Sequence, residues 1–217
     1  MTVTTKITMP VRSFRRIENP FEKDGKHMYL AVVKACDLAS EFEEWREINP
    51  RDPKTTSGVA QKIASTLRED PESFFFKNRG ITLLVKNATF DNESNGLAVE
   101  LTDRSIHGLL DGGHTFAVIR EAFDSLTEEE KAASIMNEAY VKLEILEGFP
   151  SRSEAVEIVG ARNTSTQVKD QSLDNLLQRF DTIKQVLGNK PYADRIAYKE
   201  IEFNDEGEKK DIDIKEI

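Results

Sequence analysis

The most informative stretch of the chain reads Ile106-His107-Gly108-Leu109-Leu110-Asp111-Gly112-Gly113-His114-Thr115. Its apolar first half predicts a short strand, and Phe116, Ile119 and Phe123 then recur at the spacing of a helix. Two glycines stand between these patterns, and glycine allows the tight backbone turn that such a junction requires. The sequence therefore predicts a strand, a glycine turn and a helix in direct succession.

Further strands and helices are predicted on both sides of this unit in the sequence. A helix is predicted at about residues 57–69, where Val59 begins an apolar series at helical spacing. Residues 81–85 and 97–101 predict two antiparallel strands joined by a polar loop. Further strands are predicted at residues 6–9, 29–33 and 140–146, and further helices at residues 38–45, after Thr127, after Ser151 and over residues 169–187. The last of these helices carries an apolar stripe that is expected to lie in a core.

The composition is that of a globular chain without an overall affinity for nucleic acid. The 217 residues are 38% hydrophobic and 32% charged, which is ordinary for a protein with a core. With 39 acidic and 30 basic side chains, the net charge of −9 disfavours binding to phosphates over the whole surface. A local basic patch is still compatible with this charge, and Arg12, Arg15 and Arg16 are one candidate, although a short arginine cluster is more often only solvated.

The termini and the apolar runs indicate a cytoplasmic protein without a membrane partner. The longest apolar runs, such as residues 81–85, are far shorter than a membrane span, and the first residues lack the apolar stretch of a signal peptide. The single cysteine, Cys36, excludes an intrachain disulfide and a zinc site built on cysteine pairs. Because free cysteine behaves as a small apolar residue, Cys36 is expected to be a packing residue.

The turn Asp111-Gly112-Gly113-His114-Thr115 has the composition of a phosphate site. Backbone N–H groups of the two glycines can approach an anion at the N-terminus of the following helix. His114 can donate to a phosphate or act as an acid or base, Asp111 can hold a metal ion or orient the histidine, and Thr115 can cap the helix while it contacts the anion. The alternative is a purely structural turn, since turn chemistry alone accounts for these residues.

Three further polar groups lie at the ends of predicted elements. Asn78-Arg79-Gly80 precedes a strand, where an arginine can bind a phosphate through two parallel hydrogen bonds or can simply be exposed. Arg162, Asn163 and Gln167 lie at a helix end, in a segment rich in amides and hydroxyls that also suits a polar loop. The third group, which is interpreted more simply as a set of surface residues, consists of Arg46, Asn49 and Arg51.

The order and spacing of these groups resemble those of the AIPR family of abortive phage infection proteins. That family carries an NNGI-type segment, an NGGQT-type turn and an N-x-Q-type helix end at similar separations. The matching segments here are Asn78-Arg79-Gly80-Ile81-Thr82, Leu110-Asp111-Gly112-Gly113-His114-Thr115 and Ala161-Arg162-Asn163 with Gln167. The resemblance extends over roughly residues 45–187.

The resemblance also implies a fold. Arg79 and Asp111 stand where asparagine is usual and His114 where glutamine is usual, which moves the turn towards the DGQHR form of proteins related to DndB. Those families, like ParB and sulfiredoxin, place a strand, a glycine turn and a helix around a nucleotide phosphate. The implied fold class is α+β, a mixed sheet with helices, with a ParB/sulfiredoxin-like core. Residues 1–50 are expected to form an N-terminal extension, residues 51–200 the AIPR-like core, and residues 201–217 an acidic tail or the start of a further region.

Three functions remain open from the sequence. The first is a phage-defence protein that binds a nucleotide or nucleic-acid phosphate through Asn78, Arg79, Gly112, Gly113, Thr115, Arg162, Asn163 and Gln167. The second is a nuclease or NTPase dependent on Mg²⁺ or Mn²⁺, with Asp111 and His114 as catalytic residues and with Asp103 or Glu100 as further ligands. The third is a non-enzymatic interaction domain with a structural turn, which forms a homo-oligomer or binds a partner protein through the acidic tail or through residues beyond Ile217. Convergence of the polar groups on one cleft would favour the first two.

Overall fold

The computed structural model describes residues 4–21, 25–49, 53, 55–163, 180–198 and 210–214. The chain divides into two compact units, Met1–Thr164 and Ser165–Ile217. Helices and mixed sheets occur together, so the predicted α+β class is confirmed. Among the described residues, no helix combines the length and the hydrophobicity that a membrane crossing requires.

The first unit alternates short strands with short helices. Its described strands are β1 (Thr5–Pro10), β2 (Ser13–Ile17), β3 (His27–Lys34), β4 (Ile81–Val85), β5 (Asn87–Asp91), β6 (Gly96–Leu101), β7 (Gly108–Asp111) and β8 (Tyr140–Glu147). Its described α-helices are α1 (Gly58–Glu69), α2 (Pro71–Lys77), α3 (Gly113–Phe123), α4 (Glu128–Ala133) and α5 (Arg152–Asn163). Short 3₁₀ helices lie at Ala35–Asp37, Ser40–Trp45 and Ile135–Glu138.

A five-stranded mixed sheet in the order β2-β3-β8-β4-β7 forms the centre of this unit. β4 runs parallel to β8, whereas the other neighbouring strands are antiparallel. All five residues of β4 are buried, because helices and strands cover both faces of the sheet at this position. The continuous apolar run of β4 is therefore explained by its place inside the sheet.

A second, three-stranded sheet has the order β1-β6-β5. β5 and β6 form a hairpin around the polar residues 92–95, and β1 pairs with the other edge of β6. The predicted pairing of residues 81–85 with residues 97–101 is wrong, because β4 and β6 belong to different sheets. The strand β5, which was not predicted, is the actual partner of β6.

The main core lies between the two sheets and helices α1 and α3. α3 contributes Phe116, Ile119 and Phe123, each of which is fully buried, as the helical spacing predicted. α1 packs against α3 and buries Leu67, whereas Val59 at its start is exposed to 41%. The predicted apolar series of α1 therefore contributes to the core mainly at its C-terminal end.

The opposite face of the five-stranded sheet is covered by α5. Leu84, Leu110 and Leu146 of the sheet form a small core with Ala155 and Val159 of the helix. The helix begins at the predicted Ser151 capping position, where the Ser151 hydroxyl accepts a hydrogen bond from the Glu154 N–H. α5 thus packs beside the strands that carry the glycine turn.

The second unit contains helix α6 (Asp181–Leu187) and the two-residue parallel strands β9 (Ile196–Ala197) and β10 (Ile212–Asp213). Phe180 and Leu187 pack against a core of Ile196, Tyr198 and Ile214. Ile183 of the predicted apolar stripe is exposed to 39%, and the part of the predicted helix before residue 180 lies outside the described residues.

Candidate functional site

The turn between β7 and α3 requires glycine at position 112 for two reasons. Gly112 has a φ of +86°, in the left-handed region that side chains disfavour. A Cβ atom at this position would also lie 2.5 Å from the Gly80 carbonyl oxygen and 2.8 Å from the Ile81 Cα atom. The turn is therefore packed directly on the backbone that leads into β4.

Gly80 makes a corresponding close contact on the other side. Its φ is +92°, and a Cβ atom would lie 2.5 Å from the carbonyl oxygen of Lys142 in β8. Three backbone segments therefore meet at Gly112, Gly80 and Lys142, and no side chain separates them. This packing brings two of the polar groups identified in the sequence, residues 78–80 and residues 111–115, into contact.

A buried side-chain pair fixes this contact. Asn78 and Thr115 are exposed to only 7% and 4%. The Asn78 side-chain amide donates to the Thr115 hydroxyl over 3.0 Å, and the Thr115 hydroxyl lies 3.2 Å from the Asn78 Oδ1 atom, to which it can donate. Asn78 Oδ1 also accepts the Gly80 N–H over 2.8 Å. Both side chains are thus occupied in holding the loop against α3.

Asp111 lies at the end of β7 and is half-buried. Its Oδ1 atom accepts the Gly112 N–H over 2.7 Å, so the carboxylate stabilises the turn in the manner of an Asx residue. In the sheet, Thr82 of β4 is paired with Asp111 on one side and with Glu144 of β8 on the other. Asp111 therefore lies at one end of a polar row across three strands.

The first three N–H groups of α3 belong to Gly113, His114 and Thr115. The first hydrogen bond of the helix runs from the Phe116 N–H to the Gly112 carbonyl oxygen, so these earlier groups precede it and have no acceptor within the helix. The Asn49 side-chain amide lies near this end, 3.1 Å from where a Cβ of Gly113 would stand. The helix N-terminus thus presents donors beside two polar side chains, His114 and Asn49.

Arg79 and His114 are two side chains at this turn that are open to a ligand. Arg79 is exposed and His114 is half-exposed. Within the described parts of the chain, neither side chain makes a hydrogen bond or an ion pair. Each is attached to a fixed backbone, because Arg79 lies between Asn78 and Gly80 and His114 lies between Gly113 and Thr115.

The polar group at the end of α5 is only partly described. Arg162, near the end of α5, forms an ion pair with Glu144, which links it to the polar row of Thr82 and Asp111. Nothing further is described of the Asn163 side chain, and Gln167 and Arg51 lie outside the described residues.

Sequence reasoning missed Thr82 and Glu144. The signal for Glu144 was its polar position in the alternating pattern of β8, which is also the ordinary pattern of a solvent-facing strand residue.

Among the described side chains, no three histidine, cysteine, aspartate or glutamate residues come together as a set of metal ligands. Asp103, one of the predicted further ligands, instead accepts the Ser105 N–H and hydroxyl over 2.8 and 2.7 Å. Glu100, the other, lies in β6, where it is paired with Lys6 and Asn87 of the neighbouring strands.

Comparison with known protein families gives one match, to AIPR protein, over residues 47–215. The chain belongs to the AIPR family. The match includes the glycine turn, the Asn78 loop and helix α5, and AIPR membership points to a role related to phage defence. Neither the curated proteins nor the solved structures contain a match to this AIPR chain. The sequence resemblance to DGQHR and ParB-like domains stays a prediction.

Proposed function

We propose that this AIPR protein binds the phosphate of a nucleotide or nucleic acid at the turn of residues 111–115, as part of its role in phage defence. The observation that carries the proposal is the packing of Gly112 on Gly80. This packing places the exposed Arg79 next to the first turn of α3. Backbone donors at a helix N-terminus and an arginine guanidinium both bind phosphates readily, so an exposed arginine on the adjoining loop supports a phosphate as the ligand.

The residues divide into contacting and positioning roles. In the proposal, the N–H groups of Gly112 and Gly113, the His114 side chain and the Arg79 guanidinium contact the phosphate. Gly112 can contribute because a phosphate oxygen can take over its N–H from the Asp111 carboxylate. Asn78 and Thr115 are assigned a positioning role, because their polar atoms are buried and satisfied by each other. Arg162 of α5, which pairs with Glu144 in the polar row, is proposed to contact the rest of the ligand.

Asp111 is the residue whose charge opposes an anion. Its carboxylate accepts only one hydrogen bond among the described residues, from Gly112. A Mg²⁺ or Mn²⁺ ion bound with the nucleotide would place a positive charge between this carboxylate and the phosphate. We therefore propose that the ligand binds with a divalent cation, and that Asp111 supports the cation.

The test is a binding measurement on the whole chain. Thermal melting and fluorescence anisotropy would be recorded with ATP, GTP, short single-stranded and duplex DNA, and RNA, each with and without Mg²⁺ or Mn²⁺. We expect one class to raise the melting temperature of the wild type. Arg79→Ala and His114→Ala should each weaken its binding by about tenfold, since a hydrogen bond to a charged group contributes at least that factor.

Arg68→Ala is the matched control, because Arg68 is exposed on α1 and makes no interaction with a described residue. Unchanged affinity in both Arg79→Ala and His114→Ala would refute the site. Metal-dependent turnover that is lost in His114→Ala would instead support the nuclease or NTPase alternative. The absence of any ligand effect on the wild type would favour a non-enzymatic interaction domain.

A further inference from the structure

A cavity separate from the glycine turn lies at the N-terminal end of β7, next to His107. It has a volume of about 440 Å³ and is lined by Val85, Lys86, Thr102, Asp103, Ile106, His107, Gly148, Phe149 and Pro150. The residues of the proposed phosphate site do not line it, because the turn of residues 111–115 follows β7 whereas His107 immediately precedes this strand. The cavity is therefore independent of the proposed function.

The tautomer of His107 is determined by its surroundings. The imidazole is exposed to only 6%, and its Nδ1 atom lies 3.3 Å from the Thr102 N–H and 3.4 Å from the Asp103 N–H. A backbone N–H can only donate, so Nδ1 is the acceptor and the proton of the neutral ring is on Nε2. Burial lowers the pKa of His107, which keeps the ring neutral near pH 7.

The Nε2–H of His107 has no acceptor among the described residues. Among the described residues, Arg120 Nε is the one side-chain N or O atom that is both sealed from solvent and without a hydrogen-bond partner. His107 Nε2 also lacks a partner but does not belong to this class. Nε2 is therefore open to solvent. His107 lines the 440 Å³ cavity, so we infer that its Nε2–H is a hydrogen-bond donor to a ligand in this space.

The other walls are apolar, with one cation beside them. Ile106, Phe149 and Pro150 form much of the apolar lining. Lys86 is exposed, and it lies close enough to His107 for its charge to contribute to the lowered pKa of the imidazole. The Lys86 ammonium has no ion-pair partner among the described residues.

Asp103 is the anionic residue of the lining, and its carboxylate is held by hydrogen bonds that turn it towards Ser105. Its carboxylate accepts two hydrogen bonds from Ser105, and Arg152 lies near enough to favour its charged form. The groups that remain for a ligand are a neutral imidazole donor and an ammonium. A purely apolar ligand would leave the His107 donor unsatisfied, whereas an anionic group could accept from this donor and pair with Lys86.

We propose that this cavity binds a small aromatic carboxylate, with its carboxylate on His107 Nε2–H and Lys86 and its ring against Phe149 and Ile106. An aromatic body matches the apolar walls, and a single carboxylate satisfies both free donors. The side chain of Phe149 is held in place by Lys26, whose Nζ atom lies 5.0 Å from the ring centroid on one face.

The experiment is an NMR titration of the whole chain with benzoate and with benzamide, which has the same shape and no charge. Benzoate is expected to shift the His107 Nε2–H resonance and to bind about tenfold more tightly than benzamide. His107→Asn should weaken benzoate binding by about the same factor, since asparagine Oδ1 can replace the Nδ1 acceptor while the Nε2–H donor is lost.

Lys86→Met, on an exposed residue, provides a second test that does not depend on folding, and Lys6→Met in β1 is its control. Weaker benzoate binding in Lys86→Met, with no change in Lys6→Met, is the expected result. Equal affinity for benzoate and benzamide, or a benzoate affinity unchanged in Lys86→Met, would overturn the proposal. Phosphate ligands at the glycine turn should bind Lys86→Met and the wild type equally, which separates the two sites.

Discussion

At the scale of single residues, Gly112 is a position where the fold tolerates little change. Gly112→Ala is expected to lower the free energy of unfolding by about 2–4 kcal/mol, because the left-handed φ disfavours alanine and the new methyl would meet the Gly80 carbonyl. Gly160→Ala in α5 is the matched control, since a Cβ there meets no atom within 4 Å. That control should be stabilised by up to about 1 kcal/mol. Urea unfolding measures both, and equal stability of the two variants would contradict the strained geometry at Gly112.

Cys36 is a second residue with a measurable property. It is partly buried against the core, as expected for a packing cysteine, and its Sγ atom lies 3.3 Å from Asn137 Oδ1. Burial, with the nearby Asp37, raises the pKa of the thiol from 9.0 to about 11. Because the thiolate is the reactive form, alkylation by iodoacetamide at pH 8 should be about a hundredfold slower than for an ordinary thiol. Rates that level off near pH 9 in the folded chain would contradict the raised pKa.

At the scale of secondary-structure elements, Asn78 connects the entry to β4 with the start of α3. Asn78→Ala leaves the buried Thr115 hydroxyl and the Gly80 N–H without a partner, and should lower the free energy of unfolding by about 1–3 kcal/mol. Asn92→Ala, in the exposed hairpin turn, should change it by less than about 0.5 kcal/mol. In a Thr115→Val background the loss at Asn78 should shrink. A loss that is the same in both backgrounds would show that the two side chains are not coupled.

The sequence predicted most elements correctly, but it did not predict which strands are paired. Apolar or alternating patterns identified β1, β3, β4 and β8 as strands, and the capping box of Thr127 with Glu130 begins α4 with both of its hydrogen bonds. Pairing depends on contacts between residues far apart in the chain, which a local pattern does not contain. The sequences of β4 and β6 do differ, since β4 is apolar at nearly every position whereas buried and partly exposed residues alternate in β6. The two strands therefore suit different positions in a sheet.

The same limit applies to the candidate site. The Asn78 loop and the glycine turn each stood out in the sequence, but their contact results from the antiparallel pairing of β4 with β7. The pairing also brings Thr82 beside Asp111, and this contact could not be inferred because a threonine in an apolar run reads as an ordinary strand residue. The roles of these residues in binding stay a prediction until the ligand is found.

At the scale of the whole molecule, acid stability depends on carboxylates spread over both units. Among the described residues, five carboxylates have a pKa below the ordinary value, because each accepts a side-chain hydrogen bond: Asp70, Asp91, Asp103, Glu154 and Asp211. The unfolded chain therefore binds protons more readily than the folded chain, so their stabilising contribution is present above about pH 4 and is lost as the pH falls further. Urea unfolding between pH 7 and pH 2.5 should show stability decreasing below pH 4. A stability that is independent of pH in this range would contradict the lowered pKa values.

Strand β8 lies between β3 and β4 in the sheet, although it is synthesised more than a hundred residues after β3. At ribosomal rates of about 5–20 residues per second, the N-terminal strands are exposed for roughly 5–20 s before their partner has been made. During this interval β3 presents an open edge and the apolar side chains of its core face to other chains. Nascent chains that end before Tyr140 cannot close the five-stranded sheet. Rapid production of this protein is therefore expected to depend on chaperones that bind the unfinished N-terminal part.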